Sequence, residues 1–157
     1  MSRLIIRDIE KIVGASKTNL HFLNIAETEL RDNQRYPVCI ALSKTAALAS
    51  DLQLKNYDVT VVILEKMPIR EPEDSDFKFE SKIDARQEEF ISIVEEIIAI
   101  LVGEEFNFPY SIVGDVSFDS LSQFTDYELI GVRADFTLSE RYNPVKCCTF
   151  FDQALLK

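Results

Sequence analysis

The sequence predicts an α+β fold: a mixed, mostly antiparallel β-sheet packed by a long amphipathic helix and a short N-terminal helix. Apolar residues recur every three or four positions near the N-terminus and again over residues 84–103, which is the spacing of amphipathic helices. Other stretches alternate apolar and polar side chains, as strands do. The order helix, strands, loop, long helix, strands is typical of an α+β domain.

Both predicted helices have residues typical of helix ends. The first runs over residues 3–13, with Ser2 before its first turn and Gly14 just past its last. The second runs over residues 84–103, where Asp84 is the predicted N-cap and a glycine ends the helix. About 19 residues at 1.5 Å per residue give a rod of roughly 28 Å, which is long enough to cover a sheet.

The predicted strands are short apolar or alternating runs. The clearest is "KNYDVTVVILEKM" (55–67), which alternates at its start and is apolar on both sides at its end, as expected of a central strand. Between two later strands, "DSLSQFTD" (119–126) is predicted to be a polar turn. The other predicted strands are residues 21–26, 36–42, 109–118 and 127–138, and residues 144–157 are predicted to pack as a last strand or turn.

A single domain is predicted over residues 1–157, because that length is ordinary for one domain and no repeat or low-complexity segment interrupts it. The main irregular stretch is a long acidic loop at about 67–82. Its central part, "PIREPEDSDFKF" (68–79), holds two prolines and several acidic residues without a sustained period. A loop of this length is uncommon unless it has a function.

The charge balance argues against a nucleic-acid reader. The chain has 27 acidic and 17 basic residues, a net charge of −10, so its field opposes attraction to phosphates. A conduit for DNA is a different case, because a wall that repels phosphates lets a duplex slide past without sticking.

The N-terminus and the cysteines indicate a cytoplasmic product. "MSRLIIRDIEKIVGAS" mixes charges among its apolar residues, unlike a signal peptide, and no stretch reaches the ~20 apolar residues of a membrane span. Cys39, Cys147 and Cys148 have no CxxC spacing, which argues against a disulfide scaffold and against a zinc site.

Motifs of catalysis are missing from the sequence. The one histidine, His21, has no cysteine nearby and fits a partly exposed strand residue, and no serine lies in a GxSxG motif. The glycines are too dispersed to cradle a phosphate. We expect no catalytic residues, no cofactor and no metal. An enzyme that uses Asp and Glu carboxylates with a divalent metal stays open, because such sites need no visible motif.

The stretch "ELIGVRADFTLSERY" (128–142) alternates strictly and places Arg133, Asp135 and Thr137 on one face of a strand. Arg133 and Asp135 are two positions apart and therefore side by side. Three interpretations of this pair stay open: a catalytic acid/base pair, two solvent-facing residues, or half of a cross-strand or cross-subunit ion pair.

The chain resembles the small tail-terminator and neck-ring proteins of tailed bacteriophages over about residues 36–148. The resemblance is carried by "RYPVCIAL", by "YDVTVVILEKMP" with the acidic loop after it, by the amphipathic helix, and by "SFDSLSQFTDYELIGVRADFTLSERYNPVKCC". It is closest in "DYELIGVRADFTL" (126–138). Among phages, the similarity is greatest to those infecting gut Bacteroidetes, including the crAss-like group.

The resemblance implies a non-enzymatic virion protein, made in the host cytoplasm, that forms a closed ring with copies of itself at the head-tail junction or the tail end. Its partners would be portal or neck proteins and tail-tube proteins, and DNA would pass through the lumen without sequence-specific binding or a membrane. A closed ring needs two different patches that meet. The candidate contact residues are Arg70, Glu71, Glu73, Asp74, Asp76, Arg133, Asp135 and Arg141. The alternative is a soluble α+β module that binds a ligand or a protein strand.

Overall fold

The computed structural model describes residues 2–24, 36–48, 54–124 and 128–141. Within these ranges the chain forms two helices, a 3-10 turn at Glu104–Phe106 and five strands. The helices are α1 (Ser2–Gly14) and α2 (Asp76–Val102). The strands are β1 (His21–Phe22), β2 (Val38–Leu48), β3 (Leu54–Lys66), β4 (Tyr110–Phe124) and β5 (Leu129–Arg141).

The strands form a single sheet in the order β1-β2-β3-β5-β4. The short β1 runs parallel to β2, and the other three pairings are antiparallel. The central pair β3 and β5 is in continuous register from Leu54 opposite Arg141 to Lys66 opposite Leu129. The predicted α+β fold with a mixed, mostly antiparallel sheet is therefore confirmed.

Both helices lie on the same face of the sheet, which we call the inner face. Alternation places Tyr57, Val59, Val61 and Ile63 of β3 on this face, and all four are buried. The main core is formed by these residues, by Ile5, Ile9 and Val13 of α1, by Phe90, Val94, Ile97 and Leu101 of α2, and by Val132, Ala134, Phe136 and Leu138 of β5. Burial in this core therefore determines which side chains of each strand face the helices and which side chains of each helix face the sheet.

The opposite, outer face carries a second, smaller buried cluster at one end. Leu23, Val38, Ile40, Leu64 and Leu129 form it, with Tyr36, Val62 and Leu121 packed against it. Away from this end, the outer face is mostly polar, with Leu42 and Val113 among its exposed apolar residues. An antiparallel sheet tolerates this arrangement because one of its faces can stay in contact with water.

A buried glutamine joins α2 to strands β4 and β5. The Gln87 side-chain amide donates to the backbone carbonyl of Leu121 at 2.9 Å, and that of Gly131 lies 3.4 Å away. Since Leu121 and Gly131 are paired across β4 and β5, the hydrogen bonds fix the helix at one point along both strands.

Several predicted boundaries are wrong. The strand predicted at 36–42 continues to Leu48, and the strand predicted at 21–26 is limited, among its described residues, to His21–Phe22. Helix α2 begins at Asp76 with Ser75 as its N-cap, not at Asp84, so the predicted loop at about 67–82 contains only residues 67–75. The predicted turn at 119–126 belongs largely to β4, which continues to Phe124 because Ser117, Asp119 and Leu121 pair with β5.

Other expectations stand as follows. His21 is the half-buried strand residue that was expected. The predicted C-terminal element at 144–157 lies outside the described residues. Neither α1 nor α2 has a stretch long and apolar enough to cross a membrane.

Candidate subunit interface

The loop before α2 is held in place by Asp74, whose side chain is 1% exposed. Its Oδ2 accepts a hydrogen bond from Lys82 Nζ at 2.6 Å and another from the backbone N–H of Glu71 at 3.1 Å. Lys78 Nζ lies 3.6 Å from its other oxygen. The hydrogen bond from Lys82 is the main reason that the pKa of Asp74 lies below its ordinary value, and the same bond raises the pKa of Lys82.

Further contacts fix the junction between the loop and α2. The Ser75 hydroxyl accepts from the backbone N–H of Lys78 at 3.1 Å, which satisfies one of the free donors at the helix start. Arg70 pairs with Asp76, and its guanidinium lies 5.5 Å from the centre of the Phe79 ring. This junction is therefore an ordered part of the fold rather than a mobile loop.

Two large apolar side chains on this ordered junction point into solvent. Ile69 is 83% exposed and Phe77 is 80% exposed, the highest values of any described large apolar residue. We call Ile69 and Phe77 the knob. Two exposed acids lie in the same stretch, Glu71 and Glu73, and neither forms an ion pair with a described side chain. The segment therefore presents apolar groups with negative charge around them.

The polar part of the outer sheet face is linked by hydrogen bonds between side chains of neighbouring strands. Asp135 accepts from the Thr60 hydroxyl at 2.6 Å and from Arg133 Nε at 2.9 Å. Thr137 donates to Asp58 at 3.0 Å. Burial of Asp135 acts to raise its pKa, but the hydrogen bonds from Thr60 and Arg133 outweigh this and leave the pKa below its usual value.

Arg133 and Asp135 thus pair with each other inside one chain. Asp119, directly opposite Arg133 on β4, adds a second negative charge near the guanidinium, and together these acids raise the pKa of Arg133. Charges that are already matched within a chain contribute less to a contact with another chain. Their predicted role in a subunit contact stays a prediction.

The structure divides the predicted contact residues into two separate groups. Arg70, Asp74 and Asp76 stabilise the junction at the start of α2, while Glu71 and Glu73 are its free exposed acids. Arg133 and Asp135 lie on the outer face of β5. Arg141 is the last residue of β5, and its side chain lies outside the described part of the structure.

A cleft lies on the helical side of the protein, where the end of α1 approaches the last third of α2. Its volume is about 410 Å³, within the range of about 300–1,000 Å³ common for binding pockets. Most of its lining is apolar, formed mainly by Ile12, Leu20, Ile93, Ile97, Phe106 and Phe108. Its charged lining residues are Lys11, Lys17 and Glu96. We call this feature the α1–α2 cleft.

Sequence reasoning missed both the knob and the cleft. Ile69 and Phe77 are apolar, and apolar residues are expected in a core unless the structure shows otherwise. The cleft combines residues from α1, from the segment after it, and from α2 and the 3-10 turn, which no local pattern brings together. Two exposed lysines close to a predicted helix end, Lys11 and Lys17, are the only sequence signal for it.

No family model matches the chain, and no curated protein matches it significantly. Over residues 2–24, 36–48, 54–124 and 128–141, no three His, Cys, Asp or Glu side chains are grouped so that they could hold a metal ion.

Proposed function

We propose that the protein is a virion structural protein that forms a homo-oligomeric ring at the head-tail junction or the tail end of a tailed bacteriophage. Copies of the chain would surround a channel through which DNA passes, and portal or neck proteins and tail-tube proteins would contact the two ends of the ring. One observation carries the assembly part of this proposal: an ordered junction that holds Ile69 and Phe77 in solvent.

Exposed apolar side chains on a fixed backbone favour association. Burying a large aliphatic or aromatic side chain contributes about 1.5–3 kcal/mol. A rigid segment loses little conformational entropy when it binds, so most of this free energy is kept. The Asp74–Lys82 pair and the Ser75 cap provide that rigidity here. The knob therefore has the properties of an anchor in a protein contact.

The charge of the chain supports the placement around DNA. A net charge of −10 disfavours adhesion to phosphates. On the outer sheet face, the charge of Arg133 is matched by Asp135 within the chain, so this guanidinium is not free to bind a phosphate. The resemblance to neck-ring and tail-terminator proteins supplies the specific location in the virion.

Mass photometry and light scattering of the purified protein test the proposal, with negative-stain images of the same sample. The expected result is one closed species of fixed copy number that appears as a ring. Cross-linking and mass spectrometry of the virion should join this chain to portal, neck or tail proteins. A protein that is monomeric in solution and is missing from virions would contradict the proposal.

A second candidate function, a module that binds a small ligand, is favoured by the α1–α2 cleft. An apolar lining with Lys11 and Lys17 beside it suits a small amphiphile with an anionic end. Native mass spectrometry of the protein purified from its host should then show a bound small molecule of constant mass. A spectrum with the bare chain mass alone would dismiss this candidate.

A further inference from the structure

We propose that the knob of one copy, Ile69 and Phe77, binds in the α1–α2 cleft of a second copy of this chain. The inference rests on the proposed function and deepens it, because it names the two surfaces that meet between adjacent subunits.

The knob and the cleft are complementary in polarity. The knob offers one aliphatic and one aromatic side chain, both at least 80% exposed. The cleft offers an open apolar surface that includes Ile93, Ile97 and Phe108. Phe106, another lining residue, is itself 51% exposed. Joining the two surfaces would remove apolar area from water on both sides of the contact.

The charges around the two surfaces are opposite. Beside the knob, Glu71 and Glu73 are exposed and have no ion-pair partner among the described side chains. Beside the cleft, Lys11 and Lys17 are exposed and likewise form no ion pair with a described residue. Glu96 reduces the positive charge of the cleft without cancelling it. Among the residues that line the cleft, two lysines face one glutamate, a balance that suits an acidic partner, although Glu104 and Glu105 lie in the same 3-10 turn as the lining residue Phe106.

Phe77 of the knob cannot reach the cleft of its own chain. Phe77 is in the first turn of α2, while Ile93 and Ile97 lie near its other end. The 16 positions from Phe77 to Ile93 correspond to roughly 24 Å along the helix axis. At 3.6 residues per turn, they also place the two side chains on roughly opposite sides of the helix.

Binding between copies is therefore head-to-tail. Each subunit would use its knob on one neighbour and its cleft on the other, which is a heterologous contact. Repetition of such a contact closes into a ring when the rotation between neighbours allows it. The contact is of the heterologous type that a ring requires, whereas a two-fold dimer would use one patch on both copies.

A mixing experiment on the full chain tests this. The knob variant combines Ile69→Ser with Phe77→Ser, and the cleft variant is Phe106→Glu. Each variant alone should stay monomeric at a concentration where the wild type is fully assembled. Its dissociation constant for subunit association should be at least tenfold higher than that of the wild type. Mixed in equal amounts, the two should form a one-to-one dimer, because the intact knob of one still fits the intact cleft of the other.

Two further variants keep the result interpretable. Lys17→Glu changes only an exposed charge beside the cleft and should also weaken assembly. Leu42→Ser, on the outer face of β2, is the matched control: it removes an exposed apolar side chain at neither surface and should assemble normally. Circular dichroism and melting curves of each variant should match the wild type. If Phe106→Glu is unfolded, Lys17→Glu takes its place in the mixture.

The failures of the two proposals give different results. If the wild type assembles and the knob and cleft variants, measured separately, assemble equally well, the knob-in-cleft contact is overturned and the proposed ring is not. If Leu42→Ser loses assembly and the knob variant does not, the contact lies on the outer sheet face. The knob-in-cleft contact is then also overturned. A wild type that is monomeric at every concentration overturns both proposals. A small molecule that fills the cleft in native mass spectra of assembled wild type also overturns the knob-in-cleft contact.

Discussion

Gly131 of β5 lies so close to Ile63 of β3 that a Cβ atom added at residue 131 would be 1.9 Å from the Ile63 carbonyl oxygen. The same Cβ would lie 2.9 Å from a methyl carbon of Leu64. Backbone on one side and a fully buried leucine on the other leave no room for adjustment. Only a glycine fits between the two central strands at this position.

Gly131→Ala should therefore destabilise the fold by more than about 3 kcal/mol, because the strands must separate or shift register to admit the methyl group. Gly14→Ala is the matched control, since nothing lies within 4 Å of the position its Cβ would take. Urea unfolding monitored by circular dichroism measures both free energies. Equal stability of the two variants would show that β3 and β5 can admit a methyl group at residue 131 without separating.

Two phenylalanines of α2 differ sharply in their expected effect on stability. Phe90 is fully buried in the main core, so Phe90→Ala should lower the free energy of unfolding by about 3–5 kcal/mol through lost burial and a residual cavity. Phe77 is largely exposed, so Phe77→Ala should change it by no more than about 0.5 kcal/mol. The comparison must be made with dilute, monomeric protein. A large loss for Phe77→Ala there would mean that the knob belongs to the core of its own chain.

The Asp74–Lys82 pair should make the start of α2 sensitive to pH. A carboxyl with a lowered pKa stabilises the fold above its ordinary pKa of about 3.9, and this contribution is lost as pH falls through the lower folded value. The raised pKa of Lys82 keeps the pair charged at the basic end, until pH rises through its folded value. The pair therefore stabilises the junction across the neutral range.

Asp74→Asn should reduce the hydrogen-exchange protection of amides at residues 76–82 several-fold at pH 7, because Lys82 loses its anionic partner. The difference from wild type should shrink as pH falls below the ordinary carboxyl pKa of about 3.9, and it should vanish once pH is below the lowered folded pKa, where Asp74 is protonated in both the folded and unfolded states. Glu73→Gln, which removes an exposed and unpaired carboxyl of the same loop, should leave protection unchanged. A difference between Asp74→Asn and wild type that does not shrink at all as pH falls below about 3.9 would rule out this ion pair as the cause.

Arg86 attaches α2 to β3 through planar contacts that a lysine cannot reproduce. Its Nε and one terminal nitrogen reach the two carboxylate oxygens of Glu65 at 2.6 and 2.8 Å, and its guanidinium lies 4.8 Å from the centre of the Phe90 ring. The hydrogen bonds to Glu65 raise the pKa of Arg86. Arg86→Lys should cost about 1 kcal/mol in stability, a value reduced for partial exposure. Thermal melts at matched pH measure this change in stability, with Arg7→Lys at an exposed position as control. An unchanged melting temperature for Arg86→Lys would mean that the bidentate pair with Glu65 contributes nothing to stability.

The alternation of the sheet strands and the stripe of α2 from Phe90 onward were predictable, because burial on one face imposes a period that the sequence must keep. The start of α2 was not predictable in this way. Over residues 76–80, Phe77 and Phe79 alternate with charged residues, which imitates a strand and hides the helical period. The exposure of Phe77 breaks the helical stripe, so Asp84 resembled a cap while the actual cap is Ser75.

The extent of β4 was underestimated for a related reason. Its second half is rich in serine and aspartate, which favour turns in isolation. Pairing with β5 along a long edge outweighs this local preference. The α1–α2 cleft illustrates a stricter limit, because it depends on how helices cross and not on any single segment.

The pairing of β3 with β5 also has a consequence for the order of folding. Thr60 and Asp135 are 75 positions apart, and α2 and β4 lie between their strands in the chain. During synthesis, β3 and β5 cannot complete their pairing until nearly all of β5 has left the ribosome. Contacts between residues far apart in the sequence slow folding, and we expect this chain to fold in milliseconds to seconds rather than in microseconds.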